Sequence, residues 1–387
     1  PAPPWTVPVC LRWGARGRER RTCTVLTTEQ ATLSLPNETP CPEWFLANAE
    51  GDGYYRTAYS SDAMRALARR ASSLHLGEAL ALLDDAGALA RKGRVDPDAA
   101  AALVAAFARD RRPMVAEASV ALLYELLGDV FTRGERRSEG AKVIRRLYGA
   151  RARALGWTPR AAEAFDVRTL RTVVVGAVAR HGEDAALQGE ALRLARKALV
   201  DPRSVDEDVV AATFAAAAPL GGEALWRAVI DRARATPDRA EAANLWTALG
   251  SFPDPHLAER LVDGLADGTF EARDLHWALA RLLAQQSTRA RTWAKLTGAW
   301  ERVSQRLRGD ERSWLVEAAA TSCRPEEREA RRAFFTPRVT AADGAERSLA
   351  KALEASDACI EERARLEPAL DALSRLIDFY DVRSGVI

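Results

Sequence analysis

The sequence predicts a mainly α-helical chain, an irregular α-solenoid of helical hairpins preceded by a small antiparallel β segment. Three observations predict it. The hydrophobic spacing switches from a period of two to a period of 3.6 at Ser61, and helix-stopping residues then recur at short intervals to the C-terminal end. At 387 residues the chain is also too long for one simple core, so it needs two domains or one elongated stack.

Residues 1–60 are dense in Pro, Trp, Thr and Cys. The segments at 5–13, 21–28, 31–35, 43–48 and 54–59 are short, β-branched or aromatic and bounded by turn residues, the pattern of antiparallel strands. About five such strands make a sheet that needs a second layer to bury its apolar face. From Ser61 onward single apolar stripes follow one another. Leu76, Leu80 and Leu83 form the first. Ala116, Val120, Leu123, Leu127 and Val130 form another, then Leu170, Val174 and Ala177. Trp293, Leu296, Trp300, Val303 and Leu307 read as one helix, and Leu366, Leu370, Leu373 and Ile377 close the chain. Stops fall at Gly93 with Asp96-Pro97, Pro113, Gly156 to Pro159, Asp201-Pro202, Pro219 to Gly222, Pro237, Pro253 to Pro255, Pro325 and Pro337. They divide the region into about sixteen helices joined by short loops, without a strict repeat period. The expected division is residues 1–60 and 61–387.

Hydrophobic residues make up 48% and charged residues 28%, with a net charge of +2. That balance leaves no electrostatic footprint for nucleic acid. Only five residues are lysine, so the basic character is almost all arginine. No uninterrupted apolar run reaches the roughly 18 residues of a membrane span, and no signal peptide opens the chain. The first residue is Pro1 rather than Met, which reads as a fragment or a processed product.

Chemistry is hard to find. The four histidines, His75, His181, His256 and His276, make no H-E-x-x-H and have no second His at i+4, so they read as surface or packing residues. Neither a P-loop nor a strand-linked G-x-G-x-x-G is present, and no G-x-S-x-G selects a nucleophile. Cys323 and Cys359 read as free, buried thiols in helical segments. Cys10, Cys23 and Cys41 crowd the β segment at spacings too wide for a zinc knuckle. A hairpin centred near residues 16–17 places Cys10 opposite Cys23, close enough for a disulfide. Cys23–Cys41 is the competing pair, and three reduced cysteines are the plain alternative. Arg109, Arg111 and Arg112 flank Asp110 before Pro113; they read as a solvated loop or, more sharply, as a contact for a ligand carboxylate.

One stretch stands apart. Asn48, Gly51, Gly53, Tyr54, Tyr55, Arg56 and Tyr59 spell N-x-x-G-x-G-Y-Y-R-x-x-Y, which resembles a hallmark of the aminopeptidase N-like gluzincins, zinc aminopeptidases of four-domain build. Trp5-x-x-Pro8-Val9 is similar to the family's W-x-x-P strand upstream of it. Downstream, Leu82 to Ala86 resembles the helix that opens the family's helical domain, and Leu155-Gly156-Trp157 with Leu170-Arg171 resembles a further passage. Trp293 and Trp300 look like its W-x6-W helix, and Phe334-Phe335 with Leu349 to Glu354 like its ending.

The resemblance implies a HEAT/armadillo-like bowl at residues 61–387 preceded by an incomplete β-sandwich at 1–60. It implies the C-terminal part of a zinc aminopeptidase, in which the bowl caps the active site and limits access, and arginines meet the peptide's C-terminal carboxylate. The motif residues take a structural role at the junction. The family's H-E-x-x-H helix and G-x-M-E-N loop are absent, so no catalytic or metal residue carries over, and zinc belongs to a domain outside this chain. The implied partners are that catalytic domain, the N-terminal domain and peptide substrates. The β-segment cysteines favour an extracytoplasmic location. A stand-alone helical interaction module without activity is the other reading.

Overall fold

The computed structural model describes residues 6–35, 41–132, 134–340 and 344–384; the side chains of 129–131 and 366–384 lie outside that description. Three strands open the chain: β1 (Val7–Ala15), β2 (Arg18–Leu26) and β3 (Trp44–Leu46). Then come α1 (Ser61–Ala68), α2 (Leu76–Arg91), α3 (Pro97–Phe107), α4 (Pro113–Thr132), α5 (Arg137–Leu155), α6 (Phe165–Arg180), α7 (Ala185–Val200) and α8 (Glu207–Ala235). They are followed by α9 (Arg239–Ala248), α10 (Pro255–Asp267), α11 (Ala272–Ala284), α12 (Gln286–Gly298), α13 (Trp300–Arg306), α14 (Gly309–Ala320), α15 (Pro325–Phe335) and α16 (Ala345–Ser384). The protein is mainly α with a small antiparallel β part.

β1 and β2 form a hairpin through Arg16 and Gly17, both in the left-handed region (φ 50° and 72°), the pair of conformations that matches strand twist in a two-residue turn. β3 pairs with Arg12–Gly14 on the other side, so the order is β2-β1-β3. The expected strands at 31–35 and 54–59 do not form. Residues 54–59 alternate in burial as a strand does, but their polar groups bond to Ala47 and to the Asp85 side chain, not to a neighbouring strand.

The punctuation of the helices follows from their caps. α3, α7, α9 and α10 open behind Asp96, Asp184, Asp238 and Asp254, whose carboxylates accept first-turn N–H groups. Ala116, Val120, Leu123 and Leu127 in α4, and Leu170, Val174 and Ala177 in α6, are buried as the period requires. Val130 and the stripe from Leu366 to Ile377 lie outside the described side chains. In α2 the phase differs: Leu76 is 43% exposed, and the inward face carries Glu78, Ala79, Leu82, Leu83 and Ala86. The expected single helix through Trp293 and Leu307 is divided at Ala299, which leaves helical geometry (ψ 2°). The expected stop at Pro219 to Gly222 is present as a break: Gly222 leaves helical geometry (φ 54°, ψ −160°), so α8 is two helical stretches that meet at a kink.

By length and composition α8 is apolar enough to cross a membrane, although none of its uninterrupted apolar runs is that long. Its apolar window is 56% buried inside the fold, and it packs on α6, α7 and α9, as a core helix does.

The chain divides into two compact units, one up to Gly128 together with the chain from Arg365, the other Asp129–Ala364. The first holds the sheet, α1 to α3 and most of α4. In the second, helices adjacent in sequence pack on one another: α5 on α6, α7 on α8, α8 on α9 and α11 on α12.

Candidate functional site

The resemblance motif folds into a joint between the sheet and α2. Asn48 closes the loop that follows β3: its Nδ2 donates to the Gly53 carbonyl (3.0 Å) and its Oδ1 accepts from the Gly53 N–H (2.8 Å). Gly51 is left-handed (φ 79°), and a Cβ there would lie 2.5 Å from the backbone of Gly77. A Cβ on Gly77 would in turn lie 2.1 Å from the Glu50 carbonyl oxygen. Only two glycines allow this loop to rest on the start of α2. A Cβ on Gly53 would strike the Tyr55 ring at 2.1 Å.

Beneath the loop lies Glu78, fully buried. It accepts from Arg12 Nε (2.7 Å), from the His75 N–H (2.8 Å) and from the Glu50 N–H (3.1 Å). Burial alone would raise its pKa, but Arg12 and the two backbone donors outweigh it and hold the carboxyl below the usual range. Arg12 also lies 5.0 Å over the Trp44 ring and donates to Glu19 (2.8 Å); Arg70 lies 4.7 Å over the same ring. Gly14 makes room for Trp44, since a Cβ there would lie 2.3 Å from the indole nitrogen.

The rest of the motif converges on Ala47 and Asp85. Tyr55 donates its hydroxyl hydrogen to the Ala47 carbonyl (2.7 Å), and the Ala47 N–H donates to the Tyr59 hydroxyl (2.9 Å). Burial pushes the Tyr59 phenol up to about 12. Arg56 pairs with Asp84 (2.8 Å) and Asp85 (3.3 Å), while the Thr57 N–H donates to Asp85 (2.9 Å). Burial raises the Asp85 pKa more than these partners lower it. Tyr54 is fully exposed. Pro8 stands opposite Val25 in the hairpin, and Trp5 lies outside the described residues. Sequence reasoning missed Arg12 and Glu78. The available signals were an arginine set between Leu11 and Trp13 in an apolar strand, and a glutamate three residues after the helix cap.

The second predicted group comes together in the other unit. Trp293 and Trp300 each meet Phe334 and Phe335 edge to face, with centroids 5.1–6.0 Å apart. Arg331, 2% exposed, lies 5.3 Å over Trp293. Burial draws its pKa down to about 10 against the pull of Glu327.

Cys10 and Cys23 are in register and form a disulfide (S–S 2.09 Å), and Cys41 is a free, exposed thiol. Cys323 and Cys359 are not free thiols: they form a second disulfide, with Cα atoms 5.1 Å apart. Cys323 lies in the turn after α14 and not in a helix, which lets it reach α16. Arg112, expected as a contact for a ligand carboxylate, has carboxylate and carbonyl partners within the protein. It is committed to Asp110 (2.6 and 2.9 Å) and to the Leu74 carbonyl (2.7 Å), tying the α3–α4 turn to the turn before α2. Arg109 and Arg111 are exposed on the same turn.

A polar cavity of about 360 Å³ in the second unit is lined by Arg137, Arg180, His181, Gln188, Ser251 and Gln285, among others. The Ser251 hydroxyl is buried and has no hydrogen-bond partner. Pro219, which has no N–H, deprives the Ala215 carbonyl at its edge of the usual helical donor. Among the described residues no three His, Cys, Asp or Glu side chains converge where a metal ion would sit, so zinc has no fitting ligand set there.

Residues 44–358 match the family model described as "ERAP1-like C-terminal domain". The chain is similar to the alanine/arginine aminopeptidase of Saccharomyces cerevisiae, 24% identical over 285 residues, covering 73% of this chain and 33% of that protein. It is similar to aminopeptidase 2, mitochondrial, of the same yeast, 22% identical over 289 residues (73% and 29%). It is also similar to the puromycin-sensitive aminopeptidase of Caenorhabditis elegans, 21% identical over 262 residues (67% and 27%). The chain thus spans about a third of the length of the curated relatives it matches.

Proposed function

Because this chain belongs to the ERAP1-like C-terminal domain family, we propose that it is the non-catalytic C-terminal region of a zinc-dependent aminopeptidase that removes N-terminal residues from peptides. The names of the relatives support this, all three being aminopeptidases of which this chain matches a minor share. The observation that carries the reading is the joint. Its side chains are spent within the joint, with Arg12 on Glu78 and Tyr55 and Tyr59 on the Ala47 backbone, which suits a fastening more than a reacting centre. In this reading zinc would be held by a catalytic domain outside this chain and would supply Lewis-acid chemistry there. The helical region covers that active site and limits access to it. The cavity around Ser251, in which Arg137 pairs with Glu183 (2.7 Å), offers polar groups of both signs to the distal end of the peptide. Two disulfides favour an oxidising, extracytoplasmic compartment.

The test is expression of the complete gene product. It should release amino acids from aminoacyl anilides and lose that activity to a chelator, while the 387-residue chain alone releases none and binds no stoichiometric zinc. A complete product whose upstream reading frame lacks H-E-x-x-H would instead make this a stand-alone interaction module.

A further inference from the structure

The polar cavity of about 360 Å³ spends its charged groups within the protein. Arg137 pairs with Glu183 (2.7 Å), and Arg180 has interactions of its own. His181 Nδ1 lies 3.2 Å from the Thr132 carbonyl. What is left over is neutral. In α7, Gln188 Nε2 donates to the Ala179 carbonyl (2.9 Å). Between α11 and α12, Gln285 Nε2 donates to Ser287 Oγ (2.9 Å) and to the Phe252 carbonyl (3.5 Å). A backbone carbonyl only accepts, so it fixes each amide with its nitrogen toward the protein. The two Oε1 atoms have no donor among the described residues. Ser251, in the turn after α9, is 6% exposed and brings a hydroxyl with no partner in the protein.

A buried polar group left unpaired is destabilising, so these groups call for a partner brought in from outside. The Ala215 carbonyl at the edge, which Pro219 leaves without its helical donor, is another acceptor. Acceptors therefore predominate, and a ligand has to bring N–H groups, while the Ser251 hydroxyl can donate in return. A primary carboxamide brings two N–H groups, one carbonyl and no charge. A carboxylate brings no N–H, and an ammonium brings no acceptor for the hydroxyl. Pro219 and Pro253 add apolar surface for a short carbon chain. We propose that this cavity binds a primary carboxamide, its N–H groups on Gln188 Oε1 and Gln285 Oε1 and its carbonyl on the Ser251 hydroxyl.

Two sources share that chemistry, the glutamine side chain of a peptide and a free small amide. Only the choice of source depends on the aminopeptidase reading, and the titrations use this chain alone, so they can fail while the complete gene product still releases amino acids. Ligand-observed NMR titration of the 387-residue chain with butyramide, butyrate and butylamine tests the site. Butyramide should bind with a Kd below about 10 mM, and butyrate and butylamine roughly tenfold more weakly or not at all. Ser251→Ala and Gln285→Met should each weaken butyramide roughly tenfold. The melting temperature reports that each variant is folded, and in Ser251→Ala it should not fall, because the hydroxyl has no partner in the protein to lose. Tighter binding of acetylglutamine methylamide than of butyramide assigns a peptide side chain; the reverse order assigns a free small amide, and both support the site. No butyramide binding with a Kd below about 10 mM, which would leave these groups to water, overturns the proposal. Equal binding of butyrate or butylamine, or unchanged affinity in either folded variant, overturns it as well.

Discussion

The joint around Glu78 and the aromatic cluster around Trp300 solve the same problem, fastening distant stretches of chain, with opposite materials. The joint buries an ion pair and saturates it with donors. The cluster stacks four rings edge to face and asks for almost no hydrogen bonds. A buried ion pair gains little over an apolar replacement, yet is costly to halve, and it fixes geometry and responds to pH. Ring packing contributes through area, tolerates small angular changes and is indifferent to protons. The chain uses the first where a loop must meet a helix in one pose, and the second where helices need only stay together.

The largest effect should come from the cluster. Trp300→Ala should cost about 4 kcal/mol of unfolding free energy, and denaturant titration should give the same loss at pH 7 and pH 5. A loss that changes with pH would break the contrast. Glu78→Gln comes next, at about 3 kcal/mol at pH 7, because it leaves Arg12 buried beside a neutral amide. Here the sign of the pH dependence follows from a depressed native pKa. The stabilisation is complete above the ordinary glutamate range of about 4.3 and is lost as pH falls through the lower native value. The gap between wild type and Glu78→Gln should therefore shrink in titrations near pH 3.

Asp85→Asn sharpens the comparison from within the joint. The native pKa of Asp85 is raised, so its contribution is present below the ordinary aspartate range and lost as pH rises through the native value. The asparagine can still accept from the Thr57 N–H, so the variant should lose about 1 kcal/mol or less at pH 7. A loss as large as that of Glu78→Gln would show that Asp85 is a second anchor. Tyr59→Phe should cost about 1 kcal/mol by leaving the Ala47 N–H unpaired. Tyr54→Ala, at a fully exposed ring, should change stability by less than about 0.5 kcal/mol; a larger loss in thermal melting would place that ring in a contact of its own.

Much of this was legible because local chemistry announces itself. Asp96-Pro97 and Asp254-Pro255 start helices where a cap and a fixed φ are needed, and the Trp and Phe pairs are large enough to predict each other's company. What escaped was non-local or ambiguous. Arg12 and Glu78 are 66 residues apart, and nothing in either neighbourhood names the other. Cys323 and Cys359 are separated by 36 residues, and their pairing depends on how α16 lies against the turn after α14. Residues 54–59 alternate in exposure as a strand does but pair with no strand. Period two describes side chains only, and does not say whether the backbone bonds to a strand or to Asp85. The arginines of the α3–α4 turn looked receptive in one dimension, but Arg112 had already been taken up by its own loop.

The contact of Gly51 with Gly77 has a mechanical consequence. Most junctions in proteins meet through side chains, which yield by changing rotamer and so act as springs. Here backbone bears on backbone, at distances where even one methyl group has no room. Such a bearing has almost no compliance. A small displacement of the loop passes undamped into the first turn of α2, and a displacement of α2 returns to β3 by the same route. The joint is therefore a stiff coupling, borne by the backbone contact of Gly51 with Gly77.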